Sequence, residues 1–275
     1  MQVINFDDEM MQFLKLLLYG QPGSTKTRTS CSAALDDRTY PTLLIDCRGN
    51  PLSIRDYERK PDVVSLDGFK DLNPVYSYLV GGATPGAREL AEKFGHPGGM
   101  HSRGGYYKAV IVDSVTYLQR RAAAESIGAS DLAIGDQPPP MEQRHHGAVL
   151  ARMLNFADMM FKLPIHTILT AQEYEEMDAN KNIYWRPMMT GQAAGEVPAY
   201  TYGVARMVHR SRLDPVMANK LKDYIDDQTD AVALWRPNPR WYAKWQYNKG
   251  RSIMVDPQVA EILDVAGIGR KEVAA

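Results

Sequence analysis

The stretch that decides the fold is LLLYGQPGSTKTRTS, residues 16–30, where an apolar run meets a short glycine-containing loop and a stretch of helical character. Gly20 and the pair Lys26–Thr27 stand at the spacing of the phosphate-binding pattern G-x-x-x-x-G-K-[ST]. In such loops backbone N–H groups converge on phosphate oxygens at a helix N-terminus, the lysine reaches the terminal phosphates, and the hydroxyl holds Mg²⁺. The predicted nucleotide contacts are therefore Gly20, Gln21, Pro22, Gly23, Ser24, Thr25, Lys26 and Thr27.

One position of the loop departs from the pattern, because Thr25 stands where the second glycine is expected. A glycine there tolerates positive φ or close backbone approach, whereas a β-branched residue at positive φ is strained. Either position 25 has an ordinary φ or the loop is distorted. The alternative interpretation, a Gly/Ser turn before a core helix, is disfavoured because spacing and context agree. We expect phosphate binding to survive in weakened form.

A carboxylate follows another apolar run, AVIVDS at residues 109–114, which places Asp113 at the end of a strand. In an open α/β sheet the carboxyl ends of the strands line the ligand crevice. The sequence therefore predicts that Asp113 and Thr27 hold Mg²⁺ beside the phosphates. An aspartate that caps the next helix would be compatible with the same pattern.

Bulk composition restricts the function classes only loosely. The 275 residues suffice for one large domain or two small ones, and the net charge of −1 means that any nucleic-acid surface must be local. Cys31 and Cys47 form no metal or disulfide pattern, which favours a reducing, cytoplasmic location. The acidic start at 1–13 argues against a secretory signal, and the apolar runs are too short for a membrane span.

The hydrophobic pattern predicts an α/β fold with a mostly parallel central sheet flanked by helices. Short apolar runs bounded by Gly, Pro or Asp are typical of strands buried on both faces, and their alternation with helices implies parallel crossovers. The predicted strands are 13–20, 41–47, 107–114 and 165–172; the predicted helices are 27–38 and 142–164; the predicted long loops are 126–141 and 175–199.

The C-terminal third is predicted to be antiparallel. Residues 231–237 and 240–247 alternate and flank the turn RPNPR, which indicates a hairpin with Trp235, Trp241 and Trp245 on one packed face. We expect one domain over 1–257 and a helical tail over 258–275.

With these elements placed, residues 13–255 resemble the RecA-like recombinase ATPases, and look closest to the phage-encoded nucleotide-binding (AAA/RecA-type) proteins of that class, some of which anneal single strands. IVDSVTYL resembles the strand that carries the Mg²⁺ aspartate, and HTILTAQ resembles the strand that ends in the glutamine sensing the γ-phosphate. The resemblance implies ATP and Mg²⁺ as cofactors and Lys26, Asp113 and Gln172 as the catalytic set.

The resemblance also implies partners. KWQYNKGR, residues 244–251, resembles a late strand that reaches the nucleotide of a neighbouring subunit, which implies nucleotide contacts from Lys249 and Arg251 and a ring or filament of identical chains. The loops 126–141 and 175–199 correspond to the family's DNA-contacting loops. The implied process is phage recombination, annealing or replication on single-stranded DNA, in the host cytoplasm.

Within the second of those loops, KNIYWRP combines positive charge with aromatic rings, the mixture that binds single strands. The predicted DNA contacts are Lys181, Tyr184, Trp185 and Arg186. The alternative is that these aromatics are packed rather than exposed.

Hydrolysis is left open by the segment LLIDCRGN, because Arg48 stands where the family has the glutamate that polarises the attacking water. An arginine cannot act as a base at neutral pH, and Asp46 lies two residues earlier. A weak or DNA-stimulated ATPase is one expectation. A non-hydrolysing, nucleotide-stapled scaffold is the second. A motor ATPase such as a helicase, a loader or a packaging enzyme is the third, although Ser114 stands where motors usually have a second carboxylate.

Overall fold

The computed structural model describes residues 12–49, 52–130, 136–177, 181–223, 225–247 and 251–269. Lys249 and parts of both predicted DNA-contacting loops, 131–135 and 178–180, lie outside the described residues. No helix in these ranges is long and apolar enough to cross a membrane.

The centre of the molecule is a sheet in which six strands run parallel in the order β3-β2-β4-β5-β1-β7. β8 and β10 extend it antiparallel beyond β7. The prediction of a mostly parallel α/β sheet is confirmed. The strands are β1 Lys15–Gly20, β2 Thr42–Asp46, β3 Asp62–Ser65, β4 Ala109–Asp113, β5 His166–Met177, β6 Ile183–Pro187, β7 Gly203–His209, β8 Ala231–Leu234, β9 Lys244–Trp245 and β10 Ile253–Val255.

Helices cover both faces of this sheet, as the alternating pattern predicted. The helix predicted at 142–164 is present as α5, whereas the one predicted at 27–38 is shorter, since α1 passes into a 3₁₀ turn at Ser32–Leu35. The helices are α1 Lys26–Cys31, α2 Leu72–Leu79, α3 Pro85–Phe94, α4 Val115–Ser126, α5 Gln143–Phe161, α6 Ala193–Ala199, α7 Pro215–Leu221 and α8 Val259–Ala266.

The apolar runs are continuous because both faces of the strands are buried. On β1, Leu17 and Tyr19 belong to the core beneath α2, α4 and α5, and Leu16 and Leu18 belong to the core on the opposite face. A strand with a period of two residues therefore needs apolar side chains at every position. The opposite core includes the apolar face of α8, whose Ile262 is fully buried.

The predicted C-terminal hairpin between 231–237 and 240–247 is wrong. β8 and β9 do not pair with each other, because both pair antiparallel with β7, β8 at Arg206–His209 and β9 at Gly203–Val204. The predicted turn exists and is closed by backbone hydrogen bonds between Asn238 and Trp241. The open edge of β7 accepts both segments, so the chain turns without forming a two-stranded ladder.

The predicted loop at 175–199 is also corrected. β5 continues to Met177 and pairs antiparallel with β6, and α6 occupies the end of the segment. Cross-strand pairs such as Tyr174 with Arg186 place polar or amphipathic residues on both faces, so no apolar period marks the strands. Tyr184, Trp185 and Arg186 consequently lie on a strand rather than in a loop.

A buried ion pair fixes this hairpin to the sheet. The Arg206 Nε donates to Glu173 Oε2 at 2.6 Å, with side chains only 11% and 3% exposed. The guanidinium carbon of Arg206 also lies 4.0 Å from the centroid of the Trp185 ring. Glu176 and Arg186 form a second pair at the same 2.6 Å, but those side chains are 50% and 27% exposed.

The two pairs predict different costs of removal. Glu173→Gln leaves the Arg206 charge buried without its counter-ion, so we expect the free energy of unfolding to fall by about 3 kcal/mol. Glu176→Gln, the matched control on the same strand, is expected to cost less than about 1 kcal/mol. Urea unfolding measures both values, and equal losses in the two variants would contradict the assignment.

Candidate functional site

The loop after β1 begins where three strands approach closely. The register places Gly20 beside Gln172 of β5 on one side and Met207 of β7 on the other. A Cβ atom at position 20 would lie 2.1 Å from the Met207 carbonyl oxygen and 2.7 Å from Ser24 Oγ. The first glycine of the pattern is therefore required by close packing of the backbone.

Thr25 adopts the conformation of the glycine that it replaces. Its φ is 60° and its ψ is 10°, in the left-handed region, and Gly23 has a φ of 82°. Of the two possibilities raised by the sequence, ordinary φ at position 25 is thus excluded. The Thr25 carbonyl accepts the hydrogen bond from Thr29 N at 2.8 Å, so this residue begins α1 despite its strained backbone.

The Lys26 ammonium closes the loop from inside. Its Nζ donates to the carbonyl oxygens of Gly20 at 2.9 Å and Gln21 at 2.8 Å, and to Ser24 Oγ at 3.3 Å. Burial lowers the pKa of Lys26 to about 8, and the nearby Asp113 carboxylate opposes that shift. Neutral carbonyls are weaker acceptors than phosphate oxygens, so this amine is suited to transfer to an anionic ligand.

The predicted metal-binding pair is brought together. Thr27 Oγ1 donates to Asp113 Oδ2 at 2.5 Å, and Thr170 Oγ1 on β5 donates to Asp113 Oδ1 at 2.5 Å. β5 lies between β1 and β4, so Thr170 spans the gap between the loop and the carboxylate. The sequence analysis missed Thr170, and its only signal was a hydroxyl in an otherwise apolar strand.

A cavity of about 360 Å³ opens over this edge of the sheet. Its oxygen donors, the Thr27 hydroxyl and the Asp113 carboxylate, are of the kind that Mg²⁺ prefers. Among the residues that the structure describes, no cluster of three or more His, Cys, Asp or Glu could hold an ion, so phosphate oxygens must supply further ligands. The cavity is lined by Pro22, Gly23, Ser24, Thr25, Lys26, Thr27, Arg28, Asp46, Arg48, Ser53 and Asp113.

Gln172 lies at the side of the loop rather than on the wall of the cavity. Its residue is 9% exposed, and its backbone N–H donates to Thr116 Oγ1 at 2.9 Å. Its carbonyl oxygen accepts from Met188 N at 2.7 Å, which ties it to the end of the β5–β6 hairpin. The predicted sensor thus sits between the loop and that hairpin.

Other predicted site residues are placed elsewhere. Arg251 Nη1 donates to Glu261 Oε1 of α8 at 2.8 Å, and Arg251 is not among the residues lining the cavity. Arg186 is paired with Glu176 and lies over Tyr174, while Tyr184 is half-buried. These contacts give the arginines and the hairpin aromatics intramolecular roles.

Lys181 is exposed and lines a second cavity of about 670 Å³ with Trp185 and Arg240. Arg240 was missed as a candidate because its segment was interpreted only as a turn. Its signal was the positive charge in RPNPR, next to an aromatic residue.

No protein-family model and no curated protein sequence matches the chain. Three solved structures are similar to it at low identity. A KaiC-like protein from the hyperthermophilic archaeon Pyrococcus horikoshii OT3 is 14% identical, over 89% of this chain and 91% of that one, with a TM-score of 0.40. The ATPase domain of a second protein is 10% identical, over 90% and 81%, with a TM-score of 0.46. An ATPase from the type III secretion system of pathogenic bacteria is 14% identical, over 77% and 53%, with a TM-score of 0.38.

The left-handed backbone at position 25 predicts a stabilising substitution. Thr25→Gly removes a β-branched side chain from positive φ, so we expect the free energy of unfolding to rise by on the order of 1 kcal/mol. Thr25→Ala keeps a Cβ atom and should recover less. Urea unfolding of both variants checks this, and a Thr25→Gly protein less stable than the wild type would contradict the interpretation.

Proposed function

We propose that the chain binds ATP with Mg²⁺ at the loop 20–27, as a RecA-like nucleotide-binding protein. The observation that carries this proposal is the convergence of Lys26, Thr27 and Asp113 on one cavity at the carboxyl edge of a mostly parallel sheet. That edge, with a helix N-terminus behind the loop, is where α/β folds bind phosphates.

The roles of the side chains follow from their contacts. Lys26 exchanges the carbonyls of Gly20 and Gln21 for phosphate oxygens, which accept more strongly because they are charged. Thr27 and Asp113 hold the metal, and Thr170 keeps the carboxylate oriented through its hydrogen bond. Bound Mg²⁺ would neutralise the negative charge of the phosphates.

Arg48 supports the non-hydrolysing scaffold as the second candidate function. Its guanidinium carbon lies 5.4 Å from the centroid of the Tyr117 ring, and the residue lines the cavity where the resemblance expects a glutamate. A guanidinium binds phosphate but does not accept a proton from water. In this form nucleotide stabilises an oligomer of identical chains without turnover.

Single-stranded DNA is the proposed polymer partner, in phage recombination, annealing or replication within a cytoplasm. The cavity lined by Lys181, Trp185 and Arg240 supports this, since it joins two cations to an aromatic ring. The link from Gln172 to Met188 gives the nucleotide site a covalent and hydrogen-bonded connection to the same hairpin.

The proposal is tested by nucleotide binding and turnover. Lys26→Ala removes the phosphate-binding ammonium, and we expect ATP affinity to fall by about 10- to 100-fold, the worth of a hydrogen bond to a charged group. Calorimetric titration measures the affinity, and phosphate release with and without single-stranded DNA measures turnover. Lys93→Ala, which removes an exposed lysine paired with Glu89, is the control.

The outcomes separate the candidates. DNA-stimulated turnover that is lost in Lys26→Ala supports the recombinase-like ATPase. Binding that depends on Lys26 without turnover supports the scaffold. ATP bound equally well by wild type and Lys26→Ala would contradict the proposed site.

The DNA surface has its own test. Lys181→Ala combined with Arg240→Ala removes two cations from the second cavity, so we expect weaker binding of single-stranded DNA and a salt dependence of log K reduced by about 1.4. Arg144→Ala, an exposed cation paired with Glu142, serves as the control. An unchanged salt slope in the double variant would exclude this cavity as the contact surface.

A further inference from the structure

Asp46 stands beside the metal-binding carboxylate without having been assigned a role. It is the last residue of β2, and the register pairs it directly with Asp113, the last residue of β4. Neighbouring parallel strands lie about 4.8 Å apart, and side chains in register point to the same face. The two carboxylates therefore leave the same edge of the sheet side by side.

The two oxygens of Asp46 have different surroundings. Oδ1 accepts a hydrogen bond from the backbone N–H of Arg48 at 2.9 Å. Oδ2 is buried, has no hydrogen-bond partner, and belongs to a residue that is only 3% exposed. Asp46 is one of the residues that line the cavity over the loop.

A buried carboxylate oxygen without a partner is unfavourable, because its lost hydration is not replaced. The neighbouring cations already have other contacts. Lys26 donates to loop carbonyls, and the guanidinium of Arg48 lies over Tyr117. By contrast both oxygens of Asp113 accept hydrogen bonds, from Thr27 and Thr170. The open acceptor of this edge is thus Asp46 Oδ2.

We propose that Asp46 is the second carboxylate of the magnesium site, acting with Asp113 on the hydrated metal of bound Mg–ATP. The inference rests on the proposed nucleotide function. Mg²⁺ retains several waters and is usually held by one or two carboxylates together with substrate phosphates, which matches two aspartates and one hydroxyl. The negative charge that residue 48 lacks is supplied two residues earlier, directed at the metal rather than placed as a base.

The test measures metal affinity rather than turnover. Asp46→Asn keeps an Oδ1 acceptor for Arg48 N and removes the charge at Oδ2. With a non-hydrolysable ATP analogue bound, we expect Mn²⁺, detected by electron paramagnetic resonance, to bind about tenfold more weakly than in the wild type. Asp46→Ser, which also keeps an acceptor but no carboxylate, should show the same loss. Asp37→Asn, a 90% exposed carboxylate outside the cavity, is the matched control and should bind Mn²⁺ as the wild type does.

Thermal unfolding without metal or nucleotide separates a metal ligand from a structural residue. Because the variant removes a buried charge that has one open oxygen, its midpoint should equal or exceed that of the wild type. Mn²⁺ affinity equal to that of the wild type, or weakened equally in Asp37→Asn, overturns the assignment while leaving the nucleotide site intact. A wild-type chain that binds no ATP analogue overturns the proposed function and this inference together.

Discussion

The site depends on the hydrogen bonds that Asp113 accepts from Thr27 and Thr170 at 2.5 Å each. They connect the end of β4 to the start of α1 through β5, the strand between them. Because each hydroxyl belongs to a different element, their positions define the distance between loop and carboxylate. A slip of one residue in β5 would turn Thr170 to the other face and disconnect the edge.

The loop itself is held by contacts that leave little freedom. Gly20 fits against the Met207 carbonyl only because it has no Cβ, and Lys26 occupies the loop carbonyls. Thr25 bears a positive φ that a glycine would adopt without strain. Residues held in unfavourable backbone regions are typical of binding sites, where the surrounding structure imposes them. The loop therefore keeps the shape of the pattern although one of its glycines is replaced.

Much of this architecture was predictable, for identifiable physical reasons. The strands around the loop are buried on both faces, so short apolar runs mark them, and Asp113 follows one of them directly. β3 was missed because its sequence, DVVS, is short and half-polar. The β5–β6 hairpin was missed because its faces carry Tyr, Glu and Arg rather than an apolar alternation.

Other features were not predictable because they depend on contacts distant in sequence. The C-terminal turn was identified, but a turn does not state which edge will receive its strands, and β7 received both. Likewise the sequence shows Asp46 as one residue of a strand end. Only the register beside Asp113 and the open Oδ2 give it a chemical position.

The central claim is that the loop 20–27 holds the phosphates of ATP. The most direct measurement is a crystal structure of the chain with Mg²⁺ and a non-hydrolysable ATP analogue. The account predicts phosphate oxygens on the loop N–H groups, with Lys26 Nζ moved from the carbonyls of Gly20 and Gln21 onto a phosphate. An analogue bound away from this loop, or Lys26 still bonded to both carbonyls beside a bound nucleotide, would contradict it.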